Sequence, residues 1–317
     1  MSASRPMRLA AVVVTFNRLD QIRATVERLL AEPVDHIVIV DNGSTDGTRA
    51  WLRSQDDTRL RTMLLDENLG GAGGFETGMR QAVAEYDPEW IVVMDDDARP
   101  QSGAIGAFRK LDTNGYDAAA AAVYYPDGKI CDMNRPVLNP FWHVRAFIKT
   151  ALGGGREGFH LGPSDYEARS SRTVDASSFV GFFVSRRAID LVGYPDGKLF
   201  LYGDDGLYTL GLTRAGGRIG FFPTIRFEHD CSTFETNDGR FKPLWKVYYY
   251  HRNLLFLYRM AAGWLFWPAL LIILPKWALK GRQHAGERRA FFGLLLRAVR
   301  DGLLGQEPDP RNPDQST

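Results

Sequence analysis

Through the first 125 residues, short apolar runs alternate with stretches whose apolar positions recur every three or four residues. Leu9 to Thr15 is apolar and β-branched, Leu19 to Leu30 has helical spacing, and His36 to Val40 is again strand-like. After "DNGSTDGT", where Ser44 or Thr45 can cap a helix, a helical run reaches Gln55. A strand near Arg61 to Leu65, a Gly-rich loop, a helix from Phe75 to Glu85 and a strand from Trp90 to Met94 follow. This βαβ rhythm predicts an α/β fold: a mainly parallel sheet with helices on both faces, and ligands at the carboxyl ends of its strands.

Chemically rich stretches fall at those ends: "TFNR", "DNGS", "DENLGGAGGF" and "DDD" follow the four strands in turn. One polar cluster after a strand is ordinary loop chemistry; four in succession point to a site. From Tyr124 to about Arg172 the periodicity fails, as expected of binding loops, and Asn134, Arg135, Trp142 and His143 are acceptor-contact candidates there. Regular structure resumes with "TVDASSFVGFFVSRRAIDLVG", a strand and a helix, and ends in the strand-like "RIGFFPTIRFEHD".

The last third changes character. "MAAGWLFWPALLIILP", residues 260 to 275, carries no charge, yet a spanning helix needs roughly 20 residues, and Arg259, Pro268 and Lys276 make this one short and kinked. "ERRAFFGLLLRAVRDGLLG" reads as a basic amphipathic helix. Two readings stand: core helices packed on the domain, or a monotopic membrane contact with Trp264, Trp267 and Trp277 near the headgroups.

Composition narrows the classes. With 317 residues, 44% hydrophobic and 24% charged, the chain can bury a full core. A net charge of +1 without long basic clusters argues against nucleic acid as a partner. Cys131 and Cys231 are far apart and form no CxxC, so neither a zinc site nor a disulfide framework is expected, and a cytoplasmic setting is the simplest. The N-terminal apolar run is too short for a secretory leader and reads as a first strand.

Asp95 and Asp97, two apart on an extended backbone, can converge on one hard cation such as Mg²⁺ or Mn²⁺. His229 in "FEHD" is a candidate third ligand, since imidazole suits manganese better than magnesium; the plain alternative is a hydrogen-bonded strand-end histidine. The glycines of "ENLGGAGGFETG" allow close backbone approach to a ligand, or simply make a flexible turn. In "LYGDDGLYTLGL", one of Asp204 and Asp205 can cap a helix while the other serves as a general base.

Taken in order, "VVVTFNR", "IVIVDNGSTDGT", "NLGGAGGF", "MDDDARP", "FLYGDDGLY" and "FEHD" resemble the inverting glycosyltransferases of family two, which have the GT-A fold. "GGAGGF" with the triple Asp is most similar to the bacterial galactofuranosyltransferase branch, near the rhamnosyltransferases. The resemblance covers roughly residues 8 to 230, and "YYYHRNLLFLYR" resembles that branch's C-terminal extension. It implies a GT-A domain over residues 1–242, with a nucleotide-sugar half to about 125 and an acceptor half over 126–242. Residues 243–317 are then a helical, membrane-associating extension with a disordered tail.

By the same resemblance, Thr15, Phe16, Arg18 and Asp41 hold the uracil and ribose of a nucleotide sugar, Asn68 and Gly71 border the donor, and Asp96 joins that set. Asp95, Asp97 and His229 ligate Mn²⁺ or Mg²⁺; Asp205 is the base, with Asp204 beside it. The expected reaction moves galactofuranose from UDP-galactofuranose to a glycan or polyprenyl-linked acceptor at the inner face of the plasma membrane. A dTDP-rhamnose-dependent rhamnosyltransferase and a non-catalytic nucleotide-sugar-binding module are the alternatives. A dinucleotide oxidoreductase would need its Gly-rich loop after the first strand, where "TFNR" stands, and no nucleotidyltransferase loop is present.

Overall fold

The computed structural model describes residues 7–231 and 239–306. The strands are β1 (Leu9–Thr15), β2 (His36–Asp41), β3 (Leu60–Leu64), β4 (Trp90–Asp95), β5 (Ala98–Pro100), β6 (Ala118–Tyr124), β7 (Arg172–Val174), β8 (Phe182–Ser185) and β9 (Ile219–His229). The helices are α1 (Leu19–Leu30), α2 (Thr48–Arg53), α3 (Gly70–Tyr86), α4 (Ala104–Arg109), α5 (Val144–Lys149), α6 (Pro163–Tyr166), α7 (Arg186–Val192), α8 (Asp204–Arg214), α9 (Lys246–Ala262), α10 (Phe266–Lys280) and α11 (Arg288–Leu304). The strands form one sheet in the order β3-β2-β1-β4-β8-β6-β9-β5, with β7 beside β9. β3, β2, β1 and β4 are parallel, while β8 runs antiparallel to β4 and β6, so the sheet is parallel over its first four strands and mixed beyond them.

All seven residues of β1 are buried, because helices cover both faces. Leu9, Ala11 and Val13 meet Ile22, Val26 and Leu29 of α1 on one face. Ala10, Val12 and Val14 meet Phe75, Met79 and Ala82 of α3 on the other. Removing a side chain the size of Phe75 or Met79 from water stabilises the fold by about 1.5–3 kcal/mol.

The "GGAGG" stretch is not a loop: α3 begins at Gly70, five residues before Phe75. A Cβ on Gly74 would lie 2.4 Å from Val14 Cγ1, and one on Gly78 2.5 Å from Val12 Cγ1, so these glycines let the helix pack hard on β1. Gly70 has φ +72° and would bring a Cβ within 2.0 Å of the Phe200 carbonyl oxygen. α2 is likewise entered differently from expectation. Gly47 is its N-cap and Asp46 accepts from Thr48 N at 3.0 Å, while Ser44 Oγ accepts from Asn17 N at 2.8 Å and braces the first loop.

The apolar run of residues 260 to 275 is not a single helix either. α9 ends at Ala262, Gly263 turns the chain with φ +56°, and α10 begins at Phe266, with Pro275 in its interior. Trp277 is 6% exposed and packs on His251 and Tyr258, so it belongs to the helical core rather than to an outer surface. Trp264 and Trp267 are 77% and 56% exposed. The tail expected to be disordered lies beyond residue 306, outside the described residues.

The glycine geometry makes a paired prediction. Gly70→Ala forces a positive φ on a Cβ-bearing residue and drives it into backbone, and is expected to cost about 2 kcal/mol or more. Gly71, whose added Cβ would meet nothing within 4 Å, is expected to tolerate Ala with unchanged or slightly raised stability. Denaturant midpoints of the two variants check the contrast; equal destabilisation would contradict it.

Candidate active site

Asp95 ends β4 beside Val14 of β1, and Asp96 and Asp97 make the turn into β5. β5 pairs antiparallel with β9 so that Ala98 lies opposite His229, and Asp230 N donates to the Asp97 carbonyl at 2.9 Å. That ladder carries His229 to the acidic turn across 132 residues of sequence: its Nε2 lies 3.1 Å from Asp97 Oδ1. One ligand atom from each of Asp95, Asp97 and His229 falls within 4.8 Å of the others.

The triple carboxylate is held together by groups from the first loop. Thr15 Oγ1 donates to Asp96 Oδ2 at 2.7 Å, and Arg18 Nη1 reaches Asp96 Oδ1 at 3.1 Å and Asp97 Oδ2 at 2.5 Å. Thr25 Oγ1 of α1 donates to the Asp96 carbonyl at 2.6 Å. The Thr15 hydroxyl and Arg18 Nη1, expected on nucleotide contacts, are bonded to Asp96, while the Arg18 side chain stays 27% exposed. Asp96 is a buried strut tying β1 to the acidic turn, not a group facing the ligand or water.

The electrostatics of the turn favour a cation. Burial, then the neighbouring Asp97, pushes the Asp95 carboxyl up to about 8, and burial raises Asp96 to about 6 against the pull of Arg18. Burial opposes ionisation of Asp97 too, but hydrogen bonds and charge from His229 and Arg18 hold it below the ordinary carboxylate range. Burial alone would keep His229 neutral; its bonds to Asp97 and Cys131 win and lift it to about 10. Two carboxylates and an imidazole suit Mn²⁺ well, and these residues fit such an ion.

Asn134 supplies a contact that periodicity could not reveal. Its Oδ1 lies 2.7 Å from His229 Nδ1 and accepts from Cys131 Sγ at 2.9 Å, while its Nδ2 donates to Ser178 Oγ at 2.8 Å. With Nδ1–H donating to Asn134, His229 turns Nε2 toward the carboxylates, as an imidazole ligand requires. The other acceptor-contact candidates are placed differently. Arg135 pairs with Glu157 at 2.5 and 2.8 Å, His143 Nε2 lies 2.7 Å from Asp175, and Trp142 lines a cleft of about 740 Å³ beside Phe141, Arg214, Arg259 and Trp264.

Around the nucleotide end, Phe16 is 41% exposed and Asp41 is fully buried. Asp41 Oδ2 accepts from Ser44 N at 3.2 Å and lies 3.3 Å from Arg49, while Oδ1 has no hydrogen-bond partner. A buried carboxylate oxygen left without a donor suits a ligand N–H. Asn68 Oδ1 accepts from Gly70 N at 2.8 Å, closing the turn into α3, and Gly71 opens onto free space.

Asp204 and Asp205 are the first two residues of α8, with Gly203 rather than either carboxylate as N-cap. Asp205 Oδ1 accepts from its neighbour Gly206 N at 2.6 Å. Burial and Asp205 push Asp204 up to about 7; burial raises Asp205 as well; and Asp204 adds to the field that raises Asp95. The loop before them is strained, with Phe200 and Tyr202 at φ +65° and +70°. Asn253 of α9 holds it: its Nδ2 donates to the carbonyls of Leu199, Leu201 and Tyr202 at 3.0, 2.8 and 2.8 Å. Arg252 Nη2 adds bonds to the Lys198 and Leu199 carbonyls at 3.2 Å each. The helix "YYYHRNLLF" thus builds the acidic pair's loop.

Cys131 and Cys231, which spacing gave no reason to pair, meet behind His229: ligand atoms of the three lie within 4.8 Å of one another. Hydrogen bonding with Cys231 holds the Cys131 thiol well below its usual range. A sequence without CxxC can still gather such a set when one cysteine follows β6 and the other follows β9, its parallel neighbour.

A GT-A sheet, an acidic turn fit for a divalent ion and a helix-opening Asp pair define a glycosyltransferase. Residues 10–162 match the family model described as glycosyl transferase family 2. The chain is 28% identical over 299 residues to galactofuranosyltransferase GlfT1 of Mycolicibacterium smegmatis, covering 90% of this chain and 92% of that one. It is 25% identical over 302 residues to the N-acetylglucosaminyl-diphospho-decaprenol L-rhamnosyltransferase of Mycobacterium tuberculosis, covering 86% and 89%. Among solved structures, the mannosyltransferase PcManGT of Pyrobaculum calidifontis, in complex with GDP-Man and Mn²⁺, aligns over 96% of this chain and 89% of that one, with TM-score 0.55 and 16% identity. These findings support a family 2 glycosyltransferase, similar along most of its length to these two mycobacterial enzymes.

The charge balance predicts a pH-dependent metal response. Since Asp95 retains its proton up to about 8, protons compete with a divalent ion, and Mn²⁺ is expected to raise Tm more at pH 8 than at pH 6. At 100-fold excess over Kd the gain is about 2.7 kcal/mol. Asp97→Ala is expected to abolish it, and Asn134→Ala to weaken Mn²⁺ binding about 10–100-fold. Scanning fluorimetry decides; an equal response at both pH values would remove Asp95 from the ligand set.

Proposed function

We propose that the protein is a metal-dependent inverting glycosyltransferase that moves galactofuranose from UDP-galactofuranose to a hydroxyl of a lipid-linked or polysaccharide acceptor. The observation that carries the reading is the Asp95–Asp97–His229 cluster, whose ligand atoms lie within 4.8 Å of one another, in the same chain as the Asp204–Asp205 pair that opens α8. The donor sugar is supported by the 28% identity to a galactofuranosyltransferase along nearly the whole chain.

Asp41 and the exposed ring of Phe16 receive the nucleoside, the first through its unpartnered oxygen. Asp95, Asp97 and His229 hold Mn²⁺ or Mg²⁺, which when bound supplies positive charge against the departing diphosphate. Asp205 takes the proton of the acceptor hydroxyl; that oxygen forms the new bond to the anomeric carbon as the bond to the diphosphate oxygen breaks, and the electron pair leaves on UDP. Attack from the side opposite the leaving group inverts the centre. The raised pKa of Asp205 makes it a stronger base than an ordinary carboxylate, and Asp204, protonated through much of the neutral range, can bind sugar hydroxyls as donor or acceptor.

Asp205→Asn is expected to lower kcat by about 10²–10⁴-fold while donor Kd stays within a few-fold. Initial rates and calorimetry with UDP-galactofuranose and dTDP-rhamnose test base and donor together. Full activity in the variant would sink the base, and a preference for dTDP-rhamnose would make the protein a rhamnosyltransferase.

The protein also contacts the cytoplasmic membrane face through its C-terminal helices in this reading, with residues 243–317 as the extension. In support, Trp264, Trp267, Leu271, Ile272 and Leu296 are 56–79% exposed, with Arg259 and Lys276 nearby in the chain. Among the described residues, one helical run, Lys246–Gln283, has the length and hydropathy of a spanning segment, but Gly263 divides it into α9 and α10. Its first half, however, is anchored under the acidic loop through Asn253, which favours lying on the surface. The chain is expected to float with anionic liposomes and the double variant Trp264→Glu, Leu271→Glu to lose most of that fraction; a wild type that stays with soluble protein would overturn the contact.

A further inference from the structure

A second set of ligand atoms lies directly behind His229, on the side away from the carboxylates. Cys131 is buried just after β6, Cys231 follows β9, and Met133 sits on the short turn of residues 132–134, 46% exposed. Cys131 Sγ is 3.9 Å from His229 Nδ1, Cys231 Sγ is 3.3 Å from Met133 Sδ, and the two thiols and the imidazole offer atoms within 4.8 Å of one another. Two thiols, a thioether and an imidazole are soft donors, the opposite of the oxygen-rich turn on the other side of the ring. Tetrahedral Zn²⁺, with bonds of about 2.3 Å to sulfur and 2.0–2.1 Å to nitrogen, holds neighbouring ligand atoms roughly 3.5–3.8 Å apart. The separation of 3.9 Å is close to that edge. Exposure of Met133 and partial exposure of Cys231 give an ion a route in.

We propose that Cys131, Cys231 and the Nδ1 side of His229 form a soft-metal site for ions of the Zn²⁺ class, back to back with the hard-ion site and sharing its imidazole. The two sites are coupled by the ring. Asn134 accepts the Nδ1 proton at 2.7 Å and so presents Nε2 to Asp97. An ion on Nδ1 displaces that proton and the Asn134 bond together, and thiol coordination releases further protons. Soft-ion capture therefore removes the restraint that aims His229, and inhibits; this inhibitory half rests on the proposed glycosyltransferase function, whereas the binding does not.

The probe is Co²⁺ added to the reduced full-length protein, since thiolate coordination produces a sulfur-to-cobalt charge-transfer band in the near ultraviolet. Wild type is expected to show the band and to retain one Zn²⁺ per chain on dialysis in excess Mn²⁺. Cys131→Ser and Cys231→Ser are expected to lose the band, with Cys231→Ser keeping the Mn²⁺-dependent rise in Tm. Asp95→Asn should do the reverse, keeping the band and losing the Mn²⁺ response. In transfer assays with Mn²⁺, Cys231→Ser should need at least about 10-fold more Zn²⁺ for half-inhibition than wild type. Absence of the band in wild type, or its persistence in both cysteine variants, overturns the site regardless of whether sugar transfer is observed. Equal Zn²⁺ sensitivity in Cys231→Ser and wild type overturns the coupling.

Discussion

The burial of clustered carboxylates, sharpened by their mutual repulsion, is the constraint around which the acidic centre is organised. Asp95, Asp96 and Asp97 crowd the end of β4, and Asp204 and Asp205 open α8 close by. Carboxylates this close and this little hydrated resist ionisation, and Asp95 and Asp204 shift to about 8 and 7. The shifts are unequal because the protein compensates selectively. Arg18 and Thr15 neutralise and bind Asp96, Arg18 and His229 hold Asp97 below the ordinary range, and the charge of His229 only partly offsets burial and repulsion at Asp95. The result is one carboxylate waiting for a cation beside another already charged.

The second half of the site depends on strain that the C-terminal helices restrain. Positive φ at both Phe200 and Tyr202 is unfavourable for residues with bulky side chains, by about 1–3 kcal/mol each. Asn253 and Arg252, both buried, offset it by binding four carbonyls of residues 198 to 202, which would otherwise face a dry interface. Gly70 closes the loop from the other side, since only a residue without a Cβ fits beneath the Phe200 carbonyl. A boundary drawn at residue 242 therefore follows the chain's change in composition but not the site, to which α9 belongs.

Local periodicity made the sheet legible because β1, β2 and β4 are buried along nearly their whole length and α1 along one face. The acidic turn and the pair in α8 were legible for a related reason: carboxylates at strand and helix ends are chemically conspicuous wherever they fall. What could not be read were features made by tertiary contact alone. "GGAGG" has the composition of a flexible loop, and only the nearness of Val12 and Val14 shows it to be a helix packed on a strand. Trp277 and Trp264 look alike in an apolar run, but Gly263 turns the chain between α9 and α10, and one ring is buried while the other is exposed. The bonds of Arg18 and Thr15 to Asp96 could not be read from the sequence either, because only the βαβ unit brings the first loop to the end of the fourth strand. Cys131 and Cys231 meet only through the parallel pairing of β6 with β9.

Reciprocity between the two halves follows from the same charges. Asp204 adds the least of the influences that raise Asp95, after burial, Asp97 and Asp96, so by linkage a cation at Asp95 and Asp97 would ease the ionisation of Asp204 only slightly. Burial and the neighbouring Asp205 push Asp204 up to about 7, and burial raises Asp205 as well, so in the proposed reaction the pair resists ionisation. The strength of the proposed base is therefore set chiefly by its own burial, and a cation at the acidic turn adjusts it only at the margin.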